Sequence, residues 1–265
     1  MLFAFDQYNI VTTLVVSFII QGIFFAFAST FKTDKVTDLS YSLGFASLTI
    51  WLLVAKRAFS PTQILAAAFV VLWAARLGAY LLTRILKIGK DARFDDKRGD
   101  FLKFLGFWVI QAFAVWFILL PVSVILSLPS VAPVTAATIF GALLWALGFA
   151  IEAVSDAQKY AFRNKPENAK LWIESGLWKY SRHPNYFGET LLWWGIFLFV
   201  LPNLQGWLLL AILGPIFITL LLLFVSGIPL LEQSAERKHG ENPAYQAYKR
   251  RTNIFFLLPP RKDPS

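Results

Sequence analysis

Two groups of residues in this 265-residue chain have the types and spacing to do chemistry, and the denser one runs from Asp156 to Glu189. Asp156, Lys159 and Arg163 recur at intervals of three and four, so on a helix they share one face. After them comes Ser175-Gly-Leu-Trp-Lys-Tyr-Ser-Arg-His-Pro-Asn-Tyr-Phe-Gly-Glu189. Gly176 permits a turn, and Pro184 fits the first turn of a following helix. Ser181, Arg182 and His183 then stand at a helix N-terminus, where unpaired amides and the helix dipole favour an anion and Arg182 can grip a phosphate. That is the chemistry of a diphosphate clamp. A basic interfacial loop anchored by Trp172, Trp178 and Tyr180 has the same composition, and both readings stand at this point.

The second group is Trp73-Ala-Ala-Arg-Leu-Gly-Ala-Tyr80, where Arg76 and Tyr80 lie four apart on one helix face beside small residues that allow close approach. An arginine within an apolar run needs a carboxylate or a polar cavity. Asp38, Ser40 and Tyr41, or Asp34 before them, are positioned to supply one. Glu152 and Glu189 are the other acids close to apolar runs, and a charge near a helix end can also simply reach the interface. In the tail, Glu232 and Glu236 share a helix face ahead of Tyr245-Gln-Ala-Tyr-Lys-Arg-Arg-Thr252. Two tyrosines with three cations can stack on a purine and hold its phosphate, or lie flat on anionic lipid.

The elements that must position these groups follow from composition. Hydrophobic residues make up 57% of the chain and charged residues 15%, too apolar a balance for one soluble globule of this size. Apolar runs long enough to cross roughly 30 Å of hydrocarbon lie near Tyr8–Ser29, Leu39–Ala55, Thr62–Leu86, Phe101–Leu126, Val134–Val154, Asn185–Leu201 and Trp207–Leu231. The expectation is an all-α bundle of seven transmembrane helices in a single domain, residues 1–265. The links 31–38, 87–100 and 155–182 are rich in charge, whereas 127–133 and 202–206 hold no Lys or Arg. The positive-inside rule puts the basic links and the tail in the cytoplasm and the N-terminus outside, with Lys56 and Arg57 the one dissent. Asp6 and the lack of basic residues before the first run argue that it stays as a span and is not a cleaved signal.

Composition also excludes functions. With no cysteine and only His183 and His239, thiolate chemistry, disulfides and a histidine-rich metal site are ruled out. The net charge of +9 comes from Lys and Arg gathered in inter-helix links, which suits anionic headgroups or an anionic cofactor better than nucleic acid. Neither a GxGxxG pattern nor a Walker loop is present, so a nucleotide site must be built between helices and links.

At these residues a family resemblance becomes visible. The block from Gly176 to Glu189, followed by Trp193-Trp194-Gly195 and closed by the tyrosine-bearing tail, resembles the steroid 5-alpha-reductase family, in particular its bacterial branch. Asp38 to Phe45, Arg76 to Tyr80 and Lys90-Asp-Ala-Arg-Phe-Asp-Asp-Lys-Arg98 resemble that branch too, so the likeness covers nearly the whole chain. The resemblance implies seven spans with a cytoplasmic C-terminus in the bacterial cytoplasmic membrane. It also implies NADPH-dependent reduction of a carbon–carbon double bond conjugated to a carbonyl in a lipophilic small molecule. Asp156, Lys159, Arg163, Asn185 and Glu189 would belong to the NADPH site, with Tyr180, Arg182, His183, Tyr245, Tyr248 and Arg251 beside them. Asp38, Tyr41, Arg76 and Tyr80 would polarise the carbonyl. Asp38 stands nearest to the family's second-helix glutamate, whereas Trp73 falls where its third-helix tyrosine is expected, so the likeness points to the cofactor more closely than to a steroid.

Two other readings come from different classes. Arg-His-Pro-x-Tyr-x-Gly before an aromatic helix, with Glu232, Glu236, Gly240, Tyr245 and Tyr248, also resembles membrane methyltransferases of the isoprenylcysteine carboxyl type, which bind S-adenosylmethionine. The cations Lys159, Arg163, Lys165, Lys249, Arg250 and Arg251 match an anionic dinucleotide better. A non-enzymatic lipid-binding or transporter-like protein is the third reading.

Overall fold

Apolar runs in lipid must satisfy their backbone internally, which favours helices. The computed structural model describes residues 6–91 and 94–261 and is helical, with no strand among those residues. The helices are α1 (Ile10–Thr30), α2 (Thr37–Ala55), α3 (Pro61–Ile88), α4 (Phe101–Ser127), α5 (Ala136–Arg163), α6 (Pro184–Val200), α7 (Leu213–Leu220), α8 (Ile228–His239) and α9 (Pro243–Arg251). α1 to α5 and the run Gly206–His239 are long and apolar enough to cross a membrane, so the protein is a multi-pass membrane protein.

Two of the seven expected spans are not regular full-length helices. α6 has 17 residues, about 26 Å of helix, slightly short of the hydrocarbon thickness. The last run is not one regular helix. It opens with 3-10 turns at Gly206–Ile212, continues as α7, widens into a π turn at Leu221–Val225 and resumes as α8. Gly227 sits at that break, where a Cβ would lie 2.5 Å from the Leu222 carbonyl, and Pro229 follows in the first turn of α8.

The chain divides into two compact units, each discontinuous in sequence. The first comprises the chain up to Gly141 together with Ile196–Gly214; the second comprises Ala142–Gly195 together with the chain from Pro215.

In the first unit α2 packs most extensively on α3, and α1 on α4. Buried amides tie three of these helices together. Gln111 of α4 donates to Gln21 of α1 at 2.8 Å, and to the Ser40 hydroxyl and Thr37 carbonyl of α2 at 2.9 and 3.2 Å. Without water as competitor such bonds specify which helix faces meet. A capping box formed by Ser60 and Gln63 starts α3, and Gln63 also donates to the carbonyls of Ile125 and Leu128. Pro121 interrupts the α4 ladder, and Gly214 is placed where a Cβ would lie 2.9 Å from the carbonyl of Phe117, four residues before that proline. The links 31–36 and 89–100 are latched by charge: Asp34 binds Arg98 at 2.6 Å and the Asp91 N–H at 2.6 Å, while Asp91 pairs with Arg84 at 2.8 Å. Ala92 and Arg93, within this charged link, lie outside the described residues.

In the second unit α5 and α6 cross at two glycines. A Cβ on Gly148 would stand 2.6 Å from the Gly188 carbonyl, and one on Gly188 would stand 2.6 Å from the Gly148 carbonyl and the Glu152 nitrogen. Only glycine permits this approach. It buries Glu152 and Glu189 beside the crossing. Beyond it α5 continues unbroken to Arg163, the helical extension that the spacing of Asp156, Lys159 and Arg163 requires.

Candidate functional site

Pro184 starts α6, and the three residues before it are held from two directions. The Ser181 hydroxyl donates to the Phe255 carbonyl at 2.8 Å and accepts the His183 N–H at 3.1 Å, while the Arg182 N–H donates to the Asn253 carbonyl at 2.8 Å. These bonds fix the directions of Arg182 and His183. Both side chains converge on Glu232 of α8: Arg182 Nη1 bonds one carboxylate oxygen, and His183 Nε2 lies 2.8 Å from the other. The side chains of Arg182 and His183 are 10% and 6% exposed. An arginine that deeply buried needs its counter-charge at hand, and Glu232 supplies it.

Burial pushes the His183 pKa below its ordinary value, against the pull of the Glu232 hydrogen bond. The imidazole is therefore neutral at pH 7, donates from Nε2 to the carboxylate and leaves Nδ1 as an acceptor. His183 Nδ1 and the Nε–H of Arg182 are buried with no hydrogen-bond partner among the described residues. With Nη1 committed to Glu232, the Nε edge of the guanidinium is the side that remains to receive an anion or a carbonyl. On the other side of the turn Asn185 donates to Asp156 at 3.2 Å, and its side-chain oxygen is likewise buried without a partner. Native proteins rarely leave such groups unpaired, and several together are what a polar ligand would satisfy.

Around this core the tail builds an aromatic wall. Trp172 stands edge-on to Tyr245 and to His239, with centroids 5.2 and 5.5 Å apart, and its indole N–H has no hydrogen-bond partner among the described residues. Tyr248 donates its hydroxyl to the Trp178 carbonyl at 2.9 Å, and the Trp178 indole donates to the Ser155 carbonyl at 3.0 Å. Lys159 lies over the Trp178 ring at 4.7 Å. Burial raises the pKa of both Tyr245 and Tyr248.

The structure thus brings Asp156, Arg182, His183 and Asn185 to the head of α6, with Lys159, Tyr245 and Tyr248 in the supporting wall. Both tyrosines are buried, so in this conformation neither offers an open face to a purine. Arg163 and Tyr180 are exposed, and Arg251 pairs with Glu174 at 2.9 Å at the rim. Glu189 is buried one residue past the Gly188 crossing. Glu232 is the residue whose place in the cluster the sequence reading did not assign. Its signal was present in the sequence: a buried arginine demands an acid, and Glu232 is the first acid after the last apolar run.

In the first unit Asp38, Tyr41, Arg76 and Tyr80 all lie on the paired helices α2 and α3 and are partly buried. Gly78 fits against Ser42, where a Cβ would lie 3.0 Å away, and Tyr41 packs on Phe45 and Trp73 at 5.0 and 6.3 Å. Because α2 and α3 run antiparallel through the short link 56–60, Asp38 and Tyr80 fall at the same end of the pair. Asp34 does not serve Arg76: its two carboxylate oxygens go to Arg98 and to the Asp91 N–H. Among the described residues no group of three His, Cys, Asp or Glu forms a metal site.

A family profile described as a protein of unknown function, DUF1295, matches residues 24–252. No curated protein and no solved structure matches the chain.

Proposed function

The chain belongs to the DUF1295 family, whose description states no function, and from the chemistry of the site we propose that it is a membrane-embedded NADPH-dependent reductase of a carbon–carbon double bond conjugated to a carbonyl in a lipophilic substrate. One observation carries this reading: the unpartnered Nε edge of buried Arg182 at the head of α6, with the free acceptors of His183 and Asn185 close in sequence. This combination of donor, acceptors and helix N-terminus fits a group bearing both anionic oxygens and N–H or O–H donors, as a dinucleotide does. The cations Lys159, Arg163 and Arg251 fit the remaining anionic groups of such a molecule, with the buried tail tyrosines as the wall behind them. When bound, NADPH supplies a hydride to the β carbon.

The chain's own contribution is then to bind and to polarise. Arg182, Asn185 and Asp156 orient the cofactor; Asp38, Tyr41, Arg76 and Tyr80 are assigned the carbonyl, whose oxygen gains charge as the hydride adds and needs a hydrogen-bond donor there. The steroid 5-alpha-reductase likeness supports the same reading. With it come seven spans, counting the short α6, an external N-terminus, and a cytoplasmic tail in the bacterial cytoplasmic membrane.

A second reading has its own observation. Glu232, Glu236 and Glu174 neutralise Arg182, Lys249 and Arg251, so much of the positive charge is already balanced internally. That favours a ligand without phosphate, as in methyl transfer from S-adenosylmethionine. Titration calorimetry of the detergent-purified protein with NADPH, NADH and S-adenosylmethionine separates the two. NADPH binding that is lost in Arg182→Ala and Asn185→Ala supports the reductase, and binding of S-adenosylmethionine alone refutes it.

A further inference from the structure

Past α9 the chain is held by a set of hydrogen bonds. The Asn253 carbonyl accepts the Arg182 N–H and the Phe255 carbonyl accepts the Ser181 hydroxyl, each at 2.8 Å. The Leu258 N–H reaches the Tyr180 carbonyl at 3.3 Å, and the Arg261 N–H returns to the Arg251 carbonyl at 2.8 Å. Residues 253–261 therefore form an ordered strap. Its outer face is nevertheless apolar: Ile254, Phe256 and Leu258 are 40%, 56% and 49% exposed, while Phe255 between them is buried. The segment bends at 254–256, where Asn253 Oδ1 accepts the N–H groups of Phe255 and Phe256, so that Phe255 packs inward while Ile254, Phe256 and Leu258 are left as an exposed apolar face.

The surroundings of the strap identify what meets this face. Phe187, in the first turn of α6, packs on Phe255 and Phe256 with centroids 5.5 and 6.0 Å apart. The strap thus packs against the first turn of an apolar helix. Lys179 and Arg261 are exposed beside it, and the sequence Asn-Ile-Phe-Phe-Leu-Leu-Pro-Pro-Arg261 contains no acid. Aromatic and aliphatic side chains flanked by cations at a helix end match the boundary between acyl chains and anionic headgroups.

We propose that residues 253–261 are an interfacial anchor, with Ile254, Phe256 and Leu258 seated in the upper acyl region of an anionic leaflet and Lys179 and Arg261 on its headgroups. The same strap gives its Asn253 carbonyl to Arg182, so the anchor also fixes the depth of the Arg182 cluster relative to the bilayer. The proposal does not depend on which ligand that cluster binds.

The chain has no cysteine, so a single introduced thiol carries a single nitroxide. Ile254→Cys, Phe256→Cys and Leu258→Cys are labelled in the full chain, in vesicles of phosphatidylglycerol or of phosphatidylcholine, with exposed Arg237→Cys as the aqueous control. In phosphatidylglycerol the three labels should collide with oxygen in preference to a soluble nickel chelate, by at least about threefold over the control, and nickel access should rise in phosphatidylcholine. Water-like readings at all three positions overturn the anchor and leave the face to a soluble partner. Equal readings in the two lipids overturn the headgroup contact. As a second measurement, added phosphatidylglycerol should raise the melting temperature of the wild type in detergent, but not that of the Ile254→Ser/Phe256→Ser/Leu258→Ser chain; an equal rise in both also refutes the proposal.

Discussion

Replacing Glu232 by alanine tests the cluster most directly. The change leaves the guanidinium of Arg182, 10% exposed, without its counter-charge, and the Nε2–H of His183, 6% exposed, without an acceptor. Removing one partner of a buried ion pair costs about 3–5 kcal/mol, and an orphaned neutral donor adds about 1–3 kcal/mol. Glu232 itself is 19% exposed, so water reaches part of the vacated space and the lower ends apply, about 4 kcal/mol in all. For a chain of this size that is a fall of roughly 8–16 °C in melting temperature, read by near-ultraviolet circular dichroism in detergent at pH 7.5. Glu232→Gln keeps an oxygen for His183 but no charge for Arg182, and should lose about half as much. The pH profile adds a second readout. His183 titrates below its ordinary 6.5 in the folded state because burial disfavours the cation, so the unfolded chain binds more protons. Its contribution is fully present above pH 6.5 and is lost as pH falls towards the folded-state pKa. In Glu232→Ala the carboxylate that opposed this shift is gone, so the loss should extend to lower pH than in the wild type. A melting temperature within about 2 °C of the wild type, with an unchanged pH profile, would show that Glu232 does not hold the cluster together.

Other parts of the fold make their own predictions. Gly188→Ala puts a Cβ 2.6 Å from backbone atoms of α5 and should cost at least about 3 kcal/mol, whereas Gly106→Ala, with nothing within 4 Å, should be neutral or stabilising by about 0.5–1 kcal/mol; paired thermal melts compare them. Gln111→Leu strips a donor from Gln21, Ser40 and Thr37 and should cost about 1–3 kcal/mol, with Gln21→Leu added on top costing less than the sum of the two single changes in the same melts. Tyr248→Phe removes a hydroxyl already committed to the Trp178 carbonyl. It should lower stability by about 1 kcal/mol while leaving NADPH affinity within about twofold by calorimetry, and a larger loss of affinity would mean that the hydroxyl reaches the ligand.

The sequence carried the parts of the fold that depend on local pattern. Five apolar runs became α1 to α5 with ends within two residues of those expected, except that α5 continues past Val154 to Arg163, because length and hydropathy alone decide what can lie in lipid. The i, i+3, i+4 spacing of Asp156, Lys159 and Arg163 announced the extension of α5, and Pro184 announced the start of α6. The π turn at Leu221–Val225 was not legible, since Leu-Leu-Leu-Phe-Val reads as ordinary helix and only the packing at Gly227 reveals the break. The pairing of Arg182 and His183 with Glu232 was not legible either: some fifty residues separate them, and nothing local says which acid a buried arginine will meet.

By itself, then, the sequence determined that this chain lives in a membrane, where its helices run, and which turn gathers Arg182, His183 and Asn185, because hydrophobicity, helical period and proline act over a few residues. Tertiary structure decided which charges neutralise one another, that Asp34 belongs to Arg98 and not to Arg76, and that Tyr245 and Tyr248 are wall and not open platform. Those outcomes rest on burial and on distances between residues far apart in the chain, and they take form only when the helices pack.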